Sequence, residues 1–379
     1  MTTAAPDTAR IKTRVLVVDD ASIFRRVISD ALSGIPGVEV VGTAPNGKTA
    51  LARLAALQPD LITLDIEMPE MNGLEALDAI RKSGADVSVI MLSSLTVQGG
   101  KLTVRALESG AFDFITKPES GSGEENVIRL RDNLRPMIQA LERRREIRGI
   151  LTAKGTAKAP GPSPSILQPA PAAGESHSAR TRCRTDAPLV LIGVSTGGPS
   201  ALAEVVPGLP SSIGAPIFVV QHMPPLFTAA LADRLQARSA IPVKEAQDGE
   251  IARAGCAYLA PGGRQMKLSP GPNGEIVIRV TDDAPENNCR PSVDYLFRSA
   301  ALHFPGRSVA AILTGMGNDG TEGMRMLKRG GSITVAQDEA SCVVFGMPRE
   351  AILAGVVDTI APLTKIASTI VRAVAEMRA

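Results

Sequence analysis

Tryptophan is absent from this 379-residue chain and only two tyrosines are present, so it has little with which to stack on nucleic-acid bases. Charge offers no substitute. Basic and acidic residues nearly cancel, 41 against 39, and the net charge is +2. No basic recognition helix stands out, and a nucleic-acid partner is not expected. The four cysteines (Cys183, Cys256, Cys289 and Cys342) are widely spaced and form no CxxC pair. That spacing argues against a zinc framework or a disulfide scaffold and for reduced thiols in a cytosol. No run approaches the roughly 20 apolar residues of a membrane span. The N-terminal stretch MTTAAPDTARIKTR lacks the apolar segment of a secretion signal. A cytoplasmic protein without membrane insertion is the expectation.

What is present is a repeated grammar of apolar strands and amphipathic helices. At 379 residues the chain exceeds the roughly 100–200 residues of one domain. From residue 13 onward five strand candidates (15–20, 38–44, 61–69, 87–94 and 111–118) alternate with helical patterns that end on glycine. Continuous apolar strands of this kind belong to parallel sheets covered on both faces. A charged helical segment follows at 128–151, and then a stretch rich in Pro, Ala, Gly and Ser at 154–186 that reads as a linker. From Leu189 the alternation resumes, with strand candidates at 189–194, 216–221, 256–261, 275–280, 308–315 and 332–337. The expected organisation is an N-terminal tail (1–12), a first domain (13–132), a helical then Pro/Ala-rich linker (133–187) and a second domain (188–379). Both domains are expected to be α/β with doubly wound parallel sheets.

In the first domain Asp19 and Asp20 follow the first strand and Asp65 ends the third. Strand ends of an open parallel sheet line the ligand crevice. Three carboxylates meeting there suit a hard cation such as Mg²⁺. Ser93 and Lys117, at the ends of the fourth and fifth strands, add a hydroxyl and an ammonium. Taken singly, such residues cap turns or sit on the surface. Together they suit phosphoryl transfer. The motifs VLVVDD, LITLDIEMPEMNG, VIMLSS and FDFITKP resemble the receiver domain of two-component response regulators. The resemblance implies that Asp65 is the phosphoacceptor. It also implies that Asp19, Asp20, Asp65 and the Glu67 carbonyl hold Mg²⁺, that Ser93 and Lys117 bind the phosphoryl group, and that Phe114 couples phosphorylation to surface change.

In the second domain LVLIGVSTGGPSAL (189–202) places Ser195 between a strand and a helix. A nucleophile elbow, a phosphate loop and a plain turn all fit that stretch. A nucleophilic serine needs a base, and the chain has three histidines. His177 lies in the linker and His303 at a helix end. His222, in PIFVVQHMPP, follows a strand and is the base candidate. For the orienting carboxylate, Asp319 in AAILTGMGNDGTEGM is the first choice and Asp338 the second. The glycines around Asp319 leave backbone N–H groups free for an oxyanion.

GVSTGG, VVQHMP and LTGMGNDG in succession resemble the catalytic domain of chemotaxis methylesterases of the CheB family. The whole chain has their receiver–linker–esterase layout. That resemblance implies hydrolysis of glutamate γ-methyl esters on methyl-accepting chemoreceptors, with deamidation of receptor glutamines. It makes Ser195 the nucleophile, His222 the general base and acid, and Asp319 the orienting carboxylate. The Met316 N–H becomes an oxyanion donor, and Thr196 supports the turn. A chemotaxis histidine kinase is the implied phosphodonor, and no cofactor is implied for the ester chemistry. The competing reading is a response regulator whose second domain binds a nucleotide or anion without catalysis.

Overall fold

The computed structural model describes residues 12–118, 121–153 and 187–378. The expected linker stretch 154–186, with His177 and Cys183, lies outside the described residues. Strands β1 (Thr13–Val18), β2 (Val38–Ala44), β3 (Leu61–Asp65), β4 (Ser88–Ser93) and β5 (Asp113–Thr116) alternate with helices α1 (Ser22–Ser33), α2 (Gly47–Leu57), α3 (Gly73–Lys82), α4 (Val97–Glu108) and α5 (Gly123–Ala153). The strands pair in parallel in the order β2-β1-β3-β4-β5. Local chemistry starts several of these helices. Asn72 and Glu75 form a reciprocal capping box on α3, and Thr96 caps α4 through Gly99 N. On α5, Leu130, Leu134, Ile138 and Leu141 are buried at helical spacing and share a core with Ile28, Ala31 and Leu32 of α1. The boundary expected at 132 falls inside this helix.

The second domain contains β6 (Leu189–Val194), α6 (Gly198–Val205), β7 (Ile217–Gln221), α7 (Phe227–Gln236), β8 (Val243–Glu245), β9 (Ala257–Leu259), β10 (Gln265–Pro270) and β11 (Ile276–Thr281). It continues through α8 (Val293–His303), β12 (Ser308–Ile312), α9 (Thr321–Arg329), β13 (Ile333–Gln337), α10 (Met347–Leu353), β14 (Thr359–Ala361) and α11 (Leu363–Glu376). Seven strands form a parallel sheet in the order β14-β13-β12-β6-β7-β9-β8. The doubly wound expectation holds for both domains. The strand read at 275–280 lies outside the large sheet and pairs antiparallel with β10. Strands β8 and β14 have three residues each, too short for any periodic pattern to register.

The order in which strands are added switches sides at the centre of each sheet. In the first the switch is between β1 and β3, and in the second it is at β6, which has β7 on one side and β12 on the other. Side chains delivered there share one crevice.

The two domains meet over a packed face. Phe114 of β5 stacks on Phe227 of α7 with ring centroids 4.7 Å apart. Ser200 Oγ donates to the Leu107 carbonyl at 2.8 Å. Arg234 Nε and Arg238 Nη1 reach Glu108 at 2.7 and 3.4 Å. A single apolar cluster runs from Met91 and Val104 through Phe114 to Phe227 and Leu231.

Gly193, next to the C-terminal end of β6, is pressed between Val293 of α8 and Ile312 of β12, where a Cβ would overlap Val293. Gly193→Ala is expected to destabilise the second domain by about 1–3 kcal/mol through overpacking. Calorimetry of the full chain should show its transition fall while that of the first domain stays in place.

Candidate functional site

The first crevice is a cavity of about 320 Å³ lined by Asp20, Asp65, Glu67, Ser93, Gly99 and Lys117 among others. Lys117 Nζ lies 2.7 Å from both Asp19 Oδ2 and Asp65 Oδ2, with its side chain 17% exposed. Burial pushes the Asp65 carboxyl up to about 6, more than the neighbouring Lys117 ammonium pulls it down, and the charges of Asp19 and Asp20 add to the rise. For Lys117 the order of effects differs. Burial disfavours its charge but is outweighed by the two carboxylates, so its pKa is raised. Ser93 Oγ lines the cavity but is engaged elsewhere. It accepts from Thr103 Oγ1 at 2.7 Å and leans towards the Ser94 and Gly99 carbonyls at 3.3 and 3.4 Å.

This donor set fits a hard divalent cation. Ligand atoms of Asp19, Asp20 and Asp65 lie within 4.8 Å of one another. Asp19 Oδ2 is buried and receives no well-aligned hydrogen bond, although Lys117 is close. All-oxygen ligation by carboxylates and a carbonyl is what Mg²⁺ takes.

The second crevice is built from three strand ends. Ser195 follows β6, His222 follows β7, and Asp319 sits in the turn between β12 and α9. The sharp turn after Ser195 needs Gly197, whose φ of 77° is open to glycine and costly for other residues. Further bonds hold this turn in place. Ser195 N donates to Thr314 O at 3.0 Å, Thr314 Oγ1 donates to Thr196 O at 2.9 Å, and Gln221 Nε2 donates to Ser195 O at 3.0 Å. The Met316 N–H donates no hydrogen bond among the described residues.

His222 Nε2 bonds Asp319 Oδ2 at 2.8 Å. Asp319 also accepts from Val293 N (2.7 Å), Asp294 N (3.0 Å), Ser292 Oγ (2.9 Å) and Asn287 Nδ2 (2.9 Å). Burial raises its carboxyl, but these donors and the imidazole outweigh it and bring it down to about 2. His222 is the mirror case. Burial disfavours the imidazolium, yet the bonds to Asp319 and Cys289 win and push it up to about 9. The rejected carboxylate is occupied elsewhere, since Asp338 caps Ser341 through its N and Oγ. His303 is exposed at the end of α8, where a helix-end role was expected.

Three features of the site involve residues that the sequence does not mark. His222 Nδ1 faces Cys289 Sγ at 3.7 Å, and no direct hydrogen bond joins it to Ser195. Asn287 bridges Asp294 and Asp319 at 2.9 Å each. The cavity of about 320 Å³ that holds Ser195, Thr196, His222 and Met316 is closed by first-domain residues, among them Asp113, Phe114, Pro136 and Met137. Asp113 is hydrogen-bonded to Thr196, and burial pushes its carboxyl up to about 6. Nothing in the spacing of these residues marks them.

Fold and site together define a response regulator with an enzymatic output domain. The family described as CheB methylesterase matches residues 190–370, and the response regulator receiver domain matches 15–126. A protein-glutamate methylesterase/protein-glutamine glutaminase of Desulfotalea psychrophila is 48% identical over 362 residues, 95% of this chain and 98% of that one. Its Bacillus subtilis counterpart is 43% identical over 369 residues, 96% and 99% of the two chains. The Thermotoga maritima CheB methylesterase catalytic domain, known from its crystal structure, is 43% identical over 49% of this chain and 98% of that one, with a TM-score of 0.48. The chain belongs to the protein-glutamate methylesterase/protein-glutamine glutaminase family.

The His222–Asp319 pair makes stability depend on pH in a defined way. The imidazolium contribution is complete below the ordinary histidine value of 6.5 and is lost as pH rises through about 9. The Asp319 contribution is complete above 3.8 and is lost as pH falls through about 2. Asp319→Asn removes the opposite charge and is expected to lower the His222 pKa by more than one unit, read from its ring ¹⁵N shifts across a pH titration.

Proposed function

We propose that the second domain hydrolyses glutamate γ-methyl esters in proteins with release of methanol, also deamidates glutamine side chains, and is controlled by phosphorylation of Asp65. The observation that carries this reading is the His222–Asp319 pair placed beside Ser195 at the sheet's switch point. The names of the relatives supply the substrate class. Cytoplasmic helices of methyl-accepting chemoreceptors are the proposed substrate and a chemotaxis histidine kinase the proposed phosphodonor, both in the cytoplasm. Among the described residues no helix is long and apolar enough to cross a membrane.

For the chemistry, the imidazole turns its Nδ1 from Cys289 to Ser195 while Nε2–H stays on Asp319. After Nδ1 has given its own proton to solvent, it takes the Ser195 proton as Oγ attacks the ester carbonyl. The Met316 N–H meets the oxyanion, and the imidazolium returns the proton to the departing methanol. Water, activated by His222, then hydrolyses the acyl-enzyme. A glutamine follows the same course with ammonia as leaving group.

For the control, Asp19, Asp20, Asp65 and the Glu67 carbonyl are the proposed Mg²⁺ ligands. The ion supplies neutralising charge to the phosphoryl oxygens. In the resting arrangement β5 and α5 close the esterase cavity. A phosphoryl group on Asp65 draws Ser93 Oγ away from Thr103 and Gly99, which sit on α4. The last turn of α4, Leu107 and Glu108, is the part docked on α6 and α7. Loosening that docking opens the cavity.

Ser195→Ala should cut methanol release from methylated receptor membranes by at least about 10⁴-fold and leave phosphorylation of Asp65 intact. Retained release would overturn the assignment. Phe114→Ala, which removes half of the interdomain ring stack, should raise basal release several-fold without phosphodonor. An unchanged basal rate, with the fold intact by circular dichroism, would count against occlusion.

A further inference from the structure

We propose that Cys289 Sγ and His222 Nδ1 form a binding site for Zn²⁺ at the esterase cavity, and that occupation of this site inhibits the enzyme. The two atoms are 3.7 Å apart. Bond lengths of about 2.3 Å to sulfur and 2.0–2.1 Å to nitrogen, at a tetrahedral angle, require a separation of about 3.6 Å. The second side of the ring is already arranged as in metal sites. Nε2–H is held by Asp319 Oδ2 at 2.8 Å, which leaves Nδ1, facing the sulfur, as the nitrogen a metal can take once it displaces the proton there. Asp319 itself is saturated by its other donors and serves as outer support rather than ligand.

The sulfur is held in position as well. Asn287 and Asn288 take left-handed conformations, with φ of 52° and 59°, and so turn the loop. Glu286 and Cys289 pair through their backbones at 3.1 and 2.8 Å. Asn287 Nδ2 ties the loop to Asp294 and Asp319. Access is open, because Cys289 is half-exposed between exposed Asn288 and Arg290. A sulfur and an imidazole nitrogen select a thiophilic divalent cation over Mg²⁺. Binding turns the thiol into a thiolate and displaces the Nδ1 proton of the imidazolium, both protons going to solvent, with no redox change. The remaining positions fall to water or to Ser195 Oγ. A metal on Nδ1 occupies the lone pair that must accept the serine proton.

Metal binding stands without the esterase reading, whereas inhibition rests on it. The test therefore has separate arms, all on metal-free full-length protein without an affinity tag. Co²⁺ titration should give a near-ultraviolet thiolate charge-transfer band that Zn²⁺ displaces. The band should vanish in Cys289→Ser and persist in Cys342→Ser and Cys183→Ser. In the unmodified chain Zn²⁺ should slow iodoacetamide alkylation of Cys289, read by peptide mass spectrometry. Against methylated receptor membranes, Zn²⁺ should inhibit reversibly with EDTA. Cys289→Ser should raise the half-inhibitory concentration at least about tenfold, each variant normalised to its own metal-free rate. A cobalt band that survives Cys289→Ser, or alkylation indifferent to Zn²⁺, would overturn the site. Equal inhibition of both proteins would overturn the inhibitory role. A chain that binds cobalt through Cys289 but releases no methanol would instead overturn the esterase reading.

Discussion

Asp319 is where the second domain's structure and its chemistry meet. Buried unpaired, a carboxylate would take up a proton or destabilise its surroundings. Here five donors from three segments converge on it: His222 Nε2, Asn287 Nδ2, Ser292 Oγ and the backbone N–H groups of Val293 and Asp294. Two of these are the first N–H groups of α8, which have no partners within the helix. The same bonds that satisfy the start of α8 thus keep Asp319 ionised, and the ionised Asp319 fixes the His222 ring. The start of α8, the loop carrying Asn287 and the turn after β12 cannot shift independently. Any change that frees one of them reaches the imidazole.

The contact between domains is of the right strength to be switched. A stacked aromatic pair adds about 0.5–1.5 kcal/mol beyond its burial, and half-exposed ion pairs such as Arg234–Glu108 about 0–1 kcal/mol. Moving a two-state equilibrium from 1:99 to 99:1 takes about 5.5 kcal/mol. A few charge-assisted bonds to one phosphoryl group are of that order, at about 1.5–3 kcal/mol each.

Much of this could be read from the sequence, because parallel sheets impose simple rules. Apolar runs such as LVLIGV mark buried strands, and the residues after them line a crevice. With only three histidines in the chain, one of them directly after a strand, His222 is the base candidate for a serine, and the structure lines one cavity with both. Motif context ranks Asp319 ahead of Asp338, and the structure adds that Asp338 caps Ser341. Cys289 could not be read at all. It reaches the site from an irregular loop 67 residues beyond His222, with no periodicity to place it. The docking face was hidden for another reason. Phe114 is flagged by the resemblance as a coupling residue, but nothing in the sequence names Phe227 as the ring it stacks on.

The two crevices make opposite electrostatic demands, although both lie at the strand ends of parallel sheets. The first gathers three carboxylates around a lysine, so that a cation and a phosphoryl group can be held together. Placed beside Ser195, that cluster would oppose the negative charge that builds on the carbonyl oxygen of an ester under attack. The second crevice admits a single carboxylate next to the histidine and surrounds it with donors, leaving a free N–H at Met316. Keeping the chemistries in separate domains lets each field be set alone. Under the proposed control their link is mechanical, through the end of α4 and the ring of Phe114.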